Sequence, residues 1–216
     1  MNSEYDTQIF TLVYKARSNL LDMLQEQEYN VDEYIGFKTN ELNAMIKHSQ
    51  MDMLVENGSG NKIYIKYYEI GEKKPKILNK QVIDNMIEDL FEIEEILGNS
   101  DTLFIVANSE ANDTIKGHIR HIWESKNIYI VIRNLKSLQF NILQHAYVPK
   151  HRILNKEEED EFRKKYNVKD NESIPEISRF DPVSQIICIK PNQICEIMRP
   201  SKNSVEAPYY RICKNK

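Results

Sequence analysis

Residues 102–133 have the sequence TLFIVANSEANDTIKGHIRHIWESKNIYIVIR, in which two apolar runs flank an amphipathic segment. The runs TLFIVAN and NIYIVIR are nearly uninterrupted, which is typical of strands that are buried on both faces of a sheet. Between them, Ile115, Ile119 and Ile122 follow helical spacing. Strand, helix and strand in this order predict a βαβ crossover and a mixed sheet with helices on its faces.

The residues upstream of this crossover predict helices and a hairpin around the same sheet. An amphipathic helix is expected over residues 5–27, where apolar side chains recur at helical spacing. Residues 31–37 are predicted to be extended, and Asn40 is predicted to cap a short helix. MDMLVE (51–56) and KIYIKYY (62–68) alternate on either side of a glycine-bearing turn, which predicts a β-hairpin.

A long amphipathic helix is predicted over LNKQVIDNMIEDLFEIEEIL, residues 78–97. Its apolar side is expected to carry Val82, Met86, Leu90 and Ile93. The elements up to residue 144 therefore predict an α/β N-terminal domain, 1–144, with a mixed sheet and helices.

A highly charged helix is predicted after residue 145, over NKEEEDEFRKKYNV (155–168). Asn155 can cap it, acidic residues fill its first turn and basic residues its last, an order that complements the helix dipole. Asp181 and Pro182 then occupy the N-cap and the first position of another helix.

Two short strands complete the second half of the chain. QICEIMR (193–199) and APYYRIC (207–213) alternate as strands, and a turn at KPNQ precedes the first of them. We predict a domain boundary near residues 143–150, followed by a small α+β, β-rich C-terminal domain over 145–216.

The stretch HAYVPKHRIL, residues 145–154, lies at this boundary. Pro149 fixes its own φ and favours an extended Val148, so the basic residues that follow are expected at a bend. These basic residues are Lys150, His151 and Arg152. The local chemistry leaves two interpretations open, a domain linker and a docking segment.

Bulk composition excludes several classes of protein. The formal charge of −4 and the pI near 5.8 argue against a free-standing nucleic-acid-binding protein. No apolar run has the length of a membrane span, and no secretory signal is visible at the N-terminus.

Cys188, Cys195 and Cys213 form no C-x-x-C pair, which predicts small core residues in a reducing, intracellular compartment. Phosphate-cradling glycine motifs are absent, so neither a cofactor nor a small-molecule substrate is predicted.

Three places in the sequence are candidates for metal-dependent chemistry. His118 and His121 stand three apart on a helix, but no third ligand is suggested, and a partly solvated helix face is the better interpretation. A restriction-enzyme-type nuclease needs an acid followed by E-x-K or D-x-K on a strand to hold a divalent ion. Tyr64-Ile65-Lys66 has tyrosine at the acid position, and Glu72-Lys73-Lys74 is predicted in a loop. No catalytic residue and no metal site are predicted.

Six motifs occur in order in the second half of the chain. They are VPKH (148–151), KKYNV (164–168), IPEI (174–177), DPV (181–183), IMRPS (197–201) and YYRIC (209–213). In these motifs the chain resembles the fifth subunit shared by the nuclear RNA polymerases I, II and III, a family with a counterpart in the archaeal RNA polymerase. The resemblance is strong over 145–213 and weaker over 1–144, where it lies mainly in the order of helices and strands.

The resemblance implies a two-domain, noncatalytic subunit of a multisubunit DNA-directed RNA polymerase. Its N-terminal domain would be a truncated nuclease-like fold in the jaw near downstream DNA, with Asn108 and Ser109 in a DNA-proximal loop. Its C-terminal domain would anchor the chain to the largest subunit, beside other polymerase subunits. The assembly residues implied are Val148, Pro149, Lys150, His151, Arg152, Tyr166, Pro175, Asp181, Pro182, Arg199 and Arg211.

Several positions depart from the family pattern. Glu176 replaces a basic residue, Asn192 stands where a turn glycine is usual, and Val205 replaces another glycine. Glu110 in the DNA-proximal loop would face a phosphate backbone unfavourably. Such divergence resembles versions carried by large cytoplasmic DNA viruses. The expected location is the nucleus for a cellular protein, and the virion or a cytoplasmic viral factory for a viral one.

Two other functions compete with the polymerase subunit. The fold could be reused as a transcription-related binding module outside the polymerase. The first half could also be a metal-dependent nuclease.

Overall fold

The structure is a computed structural model that describes residues 2–71, 76–202 and 204–216, with the backbone alone for 2–7. The chain divides into two compact units, Met1–Asn141 and Ile142–Lys216. We call them the N-terminal unit and the C-terminal unit. Each contains one four-stranded mixed sheet with helices.

The N-terminal unit contains four α-helices and four strands within its described residues. In chain order these are α1 (Asn2–Gln25), α2 (Thr39–Lys47), β1 (Met53–Glu56), β2 (Lys62–Tyr67), α3 (Lys80–Ile87), β3 (Thr102–Ala107), α4 (Asp113–Lys126) and β4 (Tyr129–Asn134). A π-helix, Glu88–Ile93, continues α3, and short 3₁₀ turns occur at Asp32–Tyr34 and Leu135–Leu138.

The sheet of the N-terminal unit has the strand order β1-β2-β3-β4. β1 and β2 form the predicted antiparallel hairpin, whereas β2, β3 and β4 run parallel to one another. Every residue of β3 is buried, as its uninterrupted apolar sequence predicted. The predicted βαβ crossover through α4 and the mixed sheet are therefore confirmed.

The predicted long helix over 78–97 is wrong in its second half. α3 ends at Ile87 and the chain continues as the π-helix, whose wider turn moves later residues out of the 3.6-residue register. Ile93 is consequently 67% exposed. Val82 lies before the π-helix, within α3, and is only partly buried. The buried side is formed by Ile83, Met86, Ile87 and Leu90.

Two smaller predictions in the first forty residues are also wrong. The segment 31–37 is not uniformly extended, because Asp32–Tyr34 forms a 3₁₀ turn. Asn40 lies inside α2 and does not cap it. The helix begins earlier because the Glu41 carboxylate accepts a hydrogen bond from the backbone N–H of Lys38 at 2.7 Å, which places the N-cap at Lys38.

The C-terminal unit contains two α-helices and four strands within its described residues. In chain order these are β5 (Lys150–Ile153), α5 (Lys156–Lys165), β6 (Glu176–Ser178), α6 (Pro182–Ile186), β7 (Ile194–Pro200) and β8 (Glu206–Lys214). Short 3₁₀ turns occur at Ile142–Gln144 and Asn171–Ser173. The strand order is β5-β7-β8-β6, with β6 parallel to β8 and the other pairs antiparallel.

Both predicted helix caps of the C-terminal unit are confirmed. The Asn155 side chain accepts from the backbone N–H of Glu158 at 2.9 Å, at the start of α5. The Asp181 carboxylate accepts from the backbone N–H of Val183 at 2.9 Å, and Pro182 occupies the first position of α6. These caps satisfy backbone donors that would otherwise lack partners at the helix N-termini.

The sheet of the C-terminal unit has an apolar cluster on each face. One cluster includes Ile177, Val183, Ile187, Ile189, Cys195, Ile197 and Cys213, and α6 contributes to it. The other cluster includes Leu154, Phe162, Ile174, Ile194 and Ile212, and α5 contributes to it. A sheet buried on both faces explains why β7 and β8 carry apolar residues at successive positions.

The cysteines lie in the core of the C-terminal unit, as predicted. Cys188, Cys195 and Cys213 are free and buried. Burial raises the pKa of Cys188 and Cys213 to about 12 and that of Cys195 to about 11. The thiols therefore stay protonated and unreactive at neutral pH while the unit is folded.

Candidate functional site

One face of the C-terminal sheet brings together several of the predicted assembly residues. Strand register pairs His151 with Ile197 and Ile197 with Tyr209, so these three side chains share a face. Arg199 and Arg211 lie two residues further along their strands and therefore share it too. We call the face that carries His151, Arg199, Tyr209 and Arg211 the arginine face. It is the face against which α6 packs.

Both arginines of this face lie around the ring of Tyr209. The Cζ of Arg199 is 4.1 Å from the ring centroid, and the Cζ of Arg211 is 5.7 Å from it. Arg211 Nη1 also donates to the carbonyl oxygen of Glu176 at 3.1 Å, whereas its buried Nε has no hydrogen-bond partner. Tyr209 was not among the predicted site residues, because a strand tyrosine usually signals packing only.

Two acidic residues of the C-terminal unit, Asp181 and Glu196, could in principle pair with these arginines, but both have other roles. Asp181 uses its carboxylate to cap α6. Glu196 lies on the opposite face of β7, where it pairs with Arg152 at 3.0 Å and accepts from the Tyr210 hydroxyl at 2.9 Å. In the part of the chain that the structure describes, no ion pair joins an acid to Arg199 or Arg211.

His151 is held in its neutral form on the arginine face. Its Nδ1–H donates to the carbonyl oxygen of Pro149 at 2.6 Å. Burial lowers the pKa of His151 below its usual value, and the positive charges of Arg199 and Arg211 lower it further against the opposing effects of Asp181 and Pro149. The side chain is therefore a neutral neighbour of two cations at pH 7.

We expect acidification to destabilise the C-terminal unit through His151. The histidine binds a proton more readily in the unfolded chain, so its contribution to stability is complete above pH 6.5, the ordinary value, and is lost as the pH falls below it. His151→Gln should flatten the dependence of the unfolding midpoint on pH between about 7 and 5. The exposed His121, changed to Gln, serves as the control. An unchanged pH profile in His151→Gln would refute this role.

The predicted basic bend at residues 150–152 is wrong. These residues form β5, and the side chains of a strand alternate between faces, so His151 points away from Lys150 and Arg152. Arg152 pairs with Glu158 and Glu196 on the face opposite to His151. Val148 packs against the apolar cluster of the arginine face, and Pro149 is partly buried.

Tyr166 and Pro175 line one groove, and Tyr166 packs among aromatic side chains on the face opposite to the arginine face. The Tyr166 ring is 5.2 Å from that of Phe162 and 5.6 Å from that of Tyr210. The Pro175 carbonyl accepts from the backbone N–H of Ile212 at 2.9 Å, and both Tyr166 and Pro175 line a shallow aromatic groove. The predicted assembly residues are thus distributed over both faces of the sheet.

The predicted DNA-proximal loop follows β3 in the N-terminal unit. Asn108 donates from Nδ2 to the carbonyl oxygen of Glu69 at 3.1 Å, which ties the loop to the segment that follows β2. Ser109 and Glu110 are exposed. The loop therefore presents one hydroxyl and one carboxylate to solvent.

The nuclease-like tripeptide Tyr64-Ile65-Lys66 is arranged around an acid that the sequence did not reveal. Asp52 lies just before β1, with Oδ2 at 2.6 Å from Lys66 Nζ and at 3.3 Å from the Tyr64 hydroxyl. Its Oδ1 accepts from the backbone N–H of Tyr67 at 3.0 Å. Burial and the charge of Asp52 raise the pKa of Tyr64 to about 12, so this side chain remains a neutral phenol. Lys66 therefore pairs with the Asp52 carboxylate, which a metal ion would need as a ligand.

The remaining candidate ligands form no metal centre within the described residues. His118 Nε2 lies 2.7 Å from Asp84 Oδ1, and His121 is exposed. No group of histidine, cysteine, aspartate and glutamate suited to a metal ion occurs among residues 2–71, 76–202 and 204–216. Glu72-Lys73-Lys74 lies outside the described residues. A search of the described helices finds none with the length and hydrophobicity needed to cross a membrane.

Comparison with known proteins identifies the class of the C-terminal unit. The family described as RNA polymerase Rpb5, C-terminal domain, matches residues 140–213. DNA-directed RNA polymerase subunit Rpo5 of Thermococcus kodakarensis is 39% identical over 74 residues, which are 34% of this chain and 89% of that protein. The Rpo5 of Aeropyrum pernix is 43% identical over 70 residues, 32% of this chain and 77% of that protein.

A eukaryotic relative extends the similarity to both units. It is DNA-directed RNA polymerases I, II, and III subunit rpabc1 of Dictyostelium discoideum, 24% identical over 199 residues, which are 92% of this chain and 95% of that protein. These relatives are all subunits of DNA-directed RNA polymerases. The chain belongs to the Rpb5/Rpo5 family of such subunits, which confirms the resemblance inferred from its sequence motifs.

Proposed function

We propose that this chain is a noncatalytic subunit of a multisubunit DNA-directed RNA polymerase. The observation that carries the proposal is the match to rpabc1 of Dictyostelium discoideum over nearly the full length of both chains. The pairing of Lys66 with Asp52 and the neutral Tyr64 support a role without nuclease chemistry, since the carboxylate is already neutralised.

The C-terminal unit would anchor the chain to the largest polymerase subunit and contact other subunits. Its arginine face supplies two cations that form no ion pair with an acid among the described residues, and the aromatic side chains of Tyr147 and Tyr166 are exposed. Arginine and aromatic residues are enriched among the anchors of protein interfaces. The predicted residues of both sheet faces are retained in this proposal, so the two faces would contact different parts of the assembly.

The N-terminal unit would be a truncated nuclease-like domain in the polymerase jaw, with Asn108 and Ser109 near downstream DNA. Its mixed sheet and flanking helices are compatible with that fold. The exposed Glu110 opposes close approach of a phosphate backbone, so the DNA would be near this loop without a tight contact. The chain would act in the nucleus of a cell, or in the virion or viral factory of a large DNA virus.

Co-purification tests the proposed function. A tagged chain, expressed in its own host and recovered at mild salt, should bring down the largest polymerase subunits in stoichiometric amounts. Recovery of transcription factors without those subunits would instead identify a binding module outside the polymerase. Cleavage of plasmid DNA by the isolated chain with Mg²⁺ or Mn²⁺ would contradict the noncatalytic role.

We expect limited proteolysis to release the C-terminal unit intact. Tyr147 is 91% exposed and precedes Val148, so brief treatment with chymotrypsin should produce a stable fragment that begins at Val148. Tyr147→Ala should suppress this cleavage without changing the rest of the digestion pattern. Cuts spread over 150–213, with the first half of the chain surviving, would show that the proposed domains at 1–144 and 145–216 are wrong.

A further inference from the structure

The arginine face carries two cations that no acid of the described residues neutralises in an ion pair. Two guanidinium groups approach the same tyrosine ring, at 4.1 Å for Arg199 and 5.7 Å for Arg211. The ring attracts each cation, but the cations repel each other, and His151 beside them is neutral. Arg211 Nε is also buried without a hydrogen-bond partner, which adds a desolvation cost to the repulsion between the two cations.

Strand alternation explains why nearby acids do not neutralise these cations. Glu196 is adjacent in sequence to the residues of this face, but its side chain points to the other side of β7 and pairs with Arg152. Glu176 pairs with Lys216, so it offers Arg211 only its backbone carbonyl. Asp181, whose charge acts on His151, uses its carboxylate to cap the N-terminus of α6.

We propose that Arg199, Tyr209 and Arg211 form a cradle that binds the carboxylate of an aspartate or glutamate from a partner polymerase polypeptide. A guanidinium group presents paired N–H donors that match the two oxygens of a carboxylate. One carboxylate between the two arginines cancels their repulsion and provides acceptors for their free donors. This inference rests on the proposed function, because it assigns the partner to the same assembly.

Charge and surroundings favour a protein carboxylate over a nucleic-acid phosphate as the occupant. The chain carries a formal charge of −4, which opposes the approach of a long polyanion. The partly buried Val148 and Tyr209 pack against the apolar cluster of this face, so the face offers apolar surface that suits a desolvated protein interface. An acidic side chain flanked by apolar residues is therefore the complementary feature expected on the partner.

Release of the subunit from its complex tests the cradle. The full-length tagged chain would be purified within its native complex after nuclease treatment, and the fraction retained would be measured against salt concentration. Arg199→Gln should weaken association about tenfold or more, as expected for an interface anchor. Arg199→Lys should lie between Arg199→Gln and the wild type, because it keeps the charge and loses the planar fork.

Matched controls separate binding from folding. Lys164→Gln removes an exposed cation from α5, which packs on the opposite face, and should leave retention unchanged. Arg211→Gln should also weaken association, and Arg199→Gln should keep the melting temperature of the free chain. Retention of Arg199→Gln equal to that of the wild type would overturn the cradle, and so would a fall in melting temperature that accounts for the whole loss.

Photo-crosslinking identifies the occupant. Ala207 pairs with Arg199 across β7 and β8 and shares the arginine face, so a benzoylphenylalanine placed there should link to the bound segment. A linked partner peptide that contains aspartate or glutamate supports the cradle, whereas a linked nucleic acid or an acid-free peptide overturns it. If the wild-type chain recovers no polymerase at all, the proposed function fails and not the cradle alone.

Discussion

Replacing Phe162 by alanine is expected to lower the free energy of unfolding of the C-terminal unit by about 3–5 kcal/mol. Phe162 is the one buried residue of α5, at 8% exposure, and its ring lies 4.3 Å from that of Tyr210. The rest of this helix is charged. Its Asn155 cap and its dipole-matched charges orient the helix, but they contribute only about 1 kcal/mol each and cannot hold it on the sheet.

The cysteines provide a local measurement of this effect. All three lie in the C-terminal unit and are buried, so their reaction with a thiol reagent during denaturation reports the unfolding of that unit. The control is Tyr166→Ala, because Tyr166 belongs to the same aromatic group but is 48% exposed. We expect the control to cost about 1 kcal/mol or less. Equal losses in the two variants would show that α5 is not held by Phe162.

Elements with strong local signals were predictable from the sequence. Asn155 precedes a run of acidic residues, and Asp181 precedes a proline at the first helical position. Both side chains cap their helices, as predicted. The crossover between β3 and β4 was predictable because its strands are nearly uninterrupted apolar runs. Asn192 adopts a positive φ of 73°, as expected for an asparagine in a turn position that favours glycine.

Features that depend on contacts distant in sequence were not predictable. The chain continues α3 as a π-helix, and no residue type signals a π turn, so the exposure of Ile93 was not predictable. The pairing of Lys66 with Asp52 depends on the register of the hairpin, which places the start of β1 beside the end of β2. In the candidate site, three adjacent polar residues at 150–152 gave no apolar alternation from which β5 could be recognised.

The chemistry of the arginine face illustrates the same limit. Arg199 and Arg211 could be selected from sequence motifs, but their shared contact with Tyr209 follows only from the register of β7 against β8. Because side chains alternate between the two faces along β7, Glu196 pairs with Arg152 and points away from the face that carries Arg199. The sequence motifs thus identified Arg199 and Arg211 as candidate site residues. The structure was needed to show which residues of the site share a face of the sheet.

Buried arginines were another feature without a sequence signal. Arg179 is 1% exposed and donates to Asn215 Oδ1 at 2.9 Å, and Arg17 is 3% exposed within the N-terminal unit. Arg17 lies on α1 at a position that continues the apolar stripe around Val13 and Leu20. A charged residue is expected on the exposed side of an amphipathic helix, so this placement opposes the usual pattern.

Arg17→Ala is expected to destabilise the N-terminal unit by about 2–5 kcal/mol, and Arg17→Met to recover most of that loss. Arg17 Nη1 donates to the carbonyl of Tyr34 at 2.9 Å, and its Cζ lies 5.4 Å from the centroid of the Phe37 ring. Its Nε and Nη2 are buried without partners, and burial lowers the pKa of the side chain. The charge is therefore costly, whereas the volume fills the core, and methionine keeps the volume without the charge.

Trp123 allows this prediction to be measured within the N-terminal unit. It is the one tryptophan of the chain and packs edge-on against Tyr129, with 5.7 Å between ring centroids, so its fluorescence follows the unfolding of the sheet. The control is Lys15→Met on the exposed side of α1, which should change the midpoint little. If Arg17→Met is as unstable as Arg17→Ala, the guanidinium contacts with Tyr34 and Phe37 stabilise the unit. If it is close to the wild type, the core of the N-terminal unit uses Arg17 as a space-filling side chain and tolerates its charge.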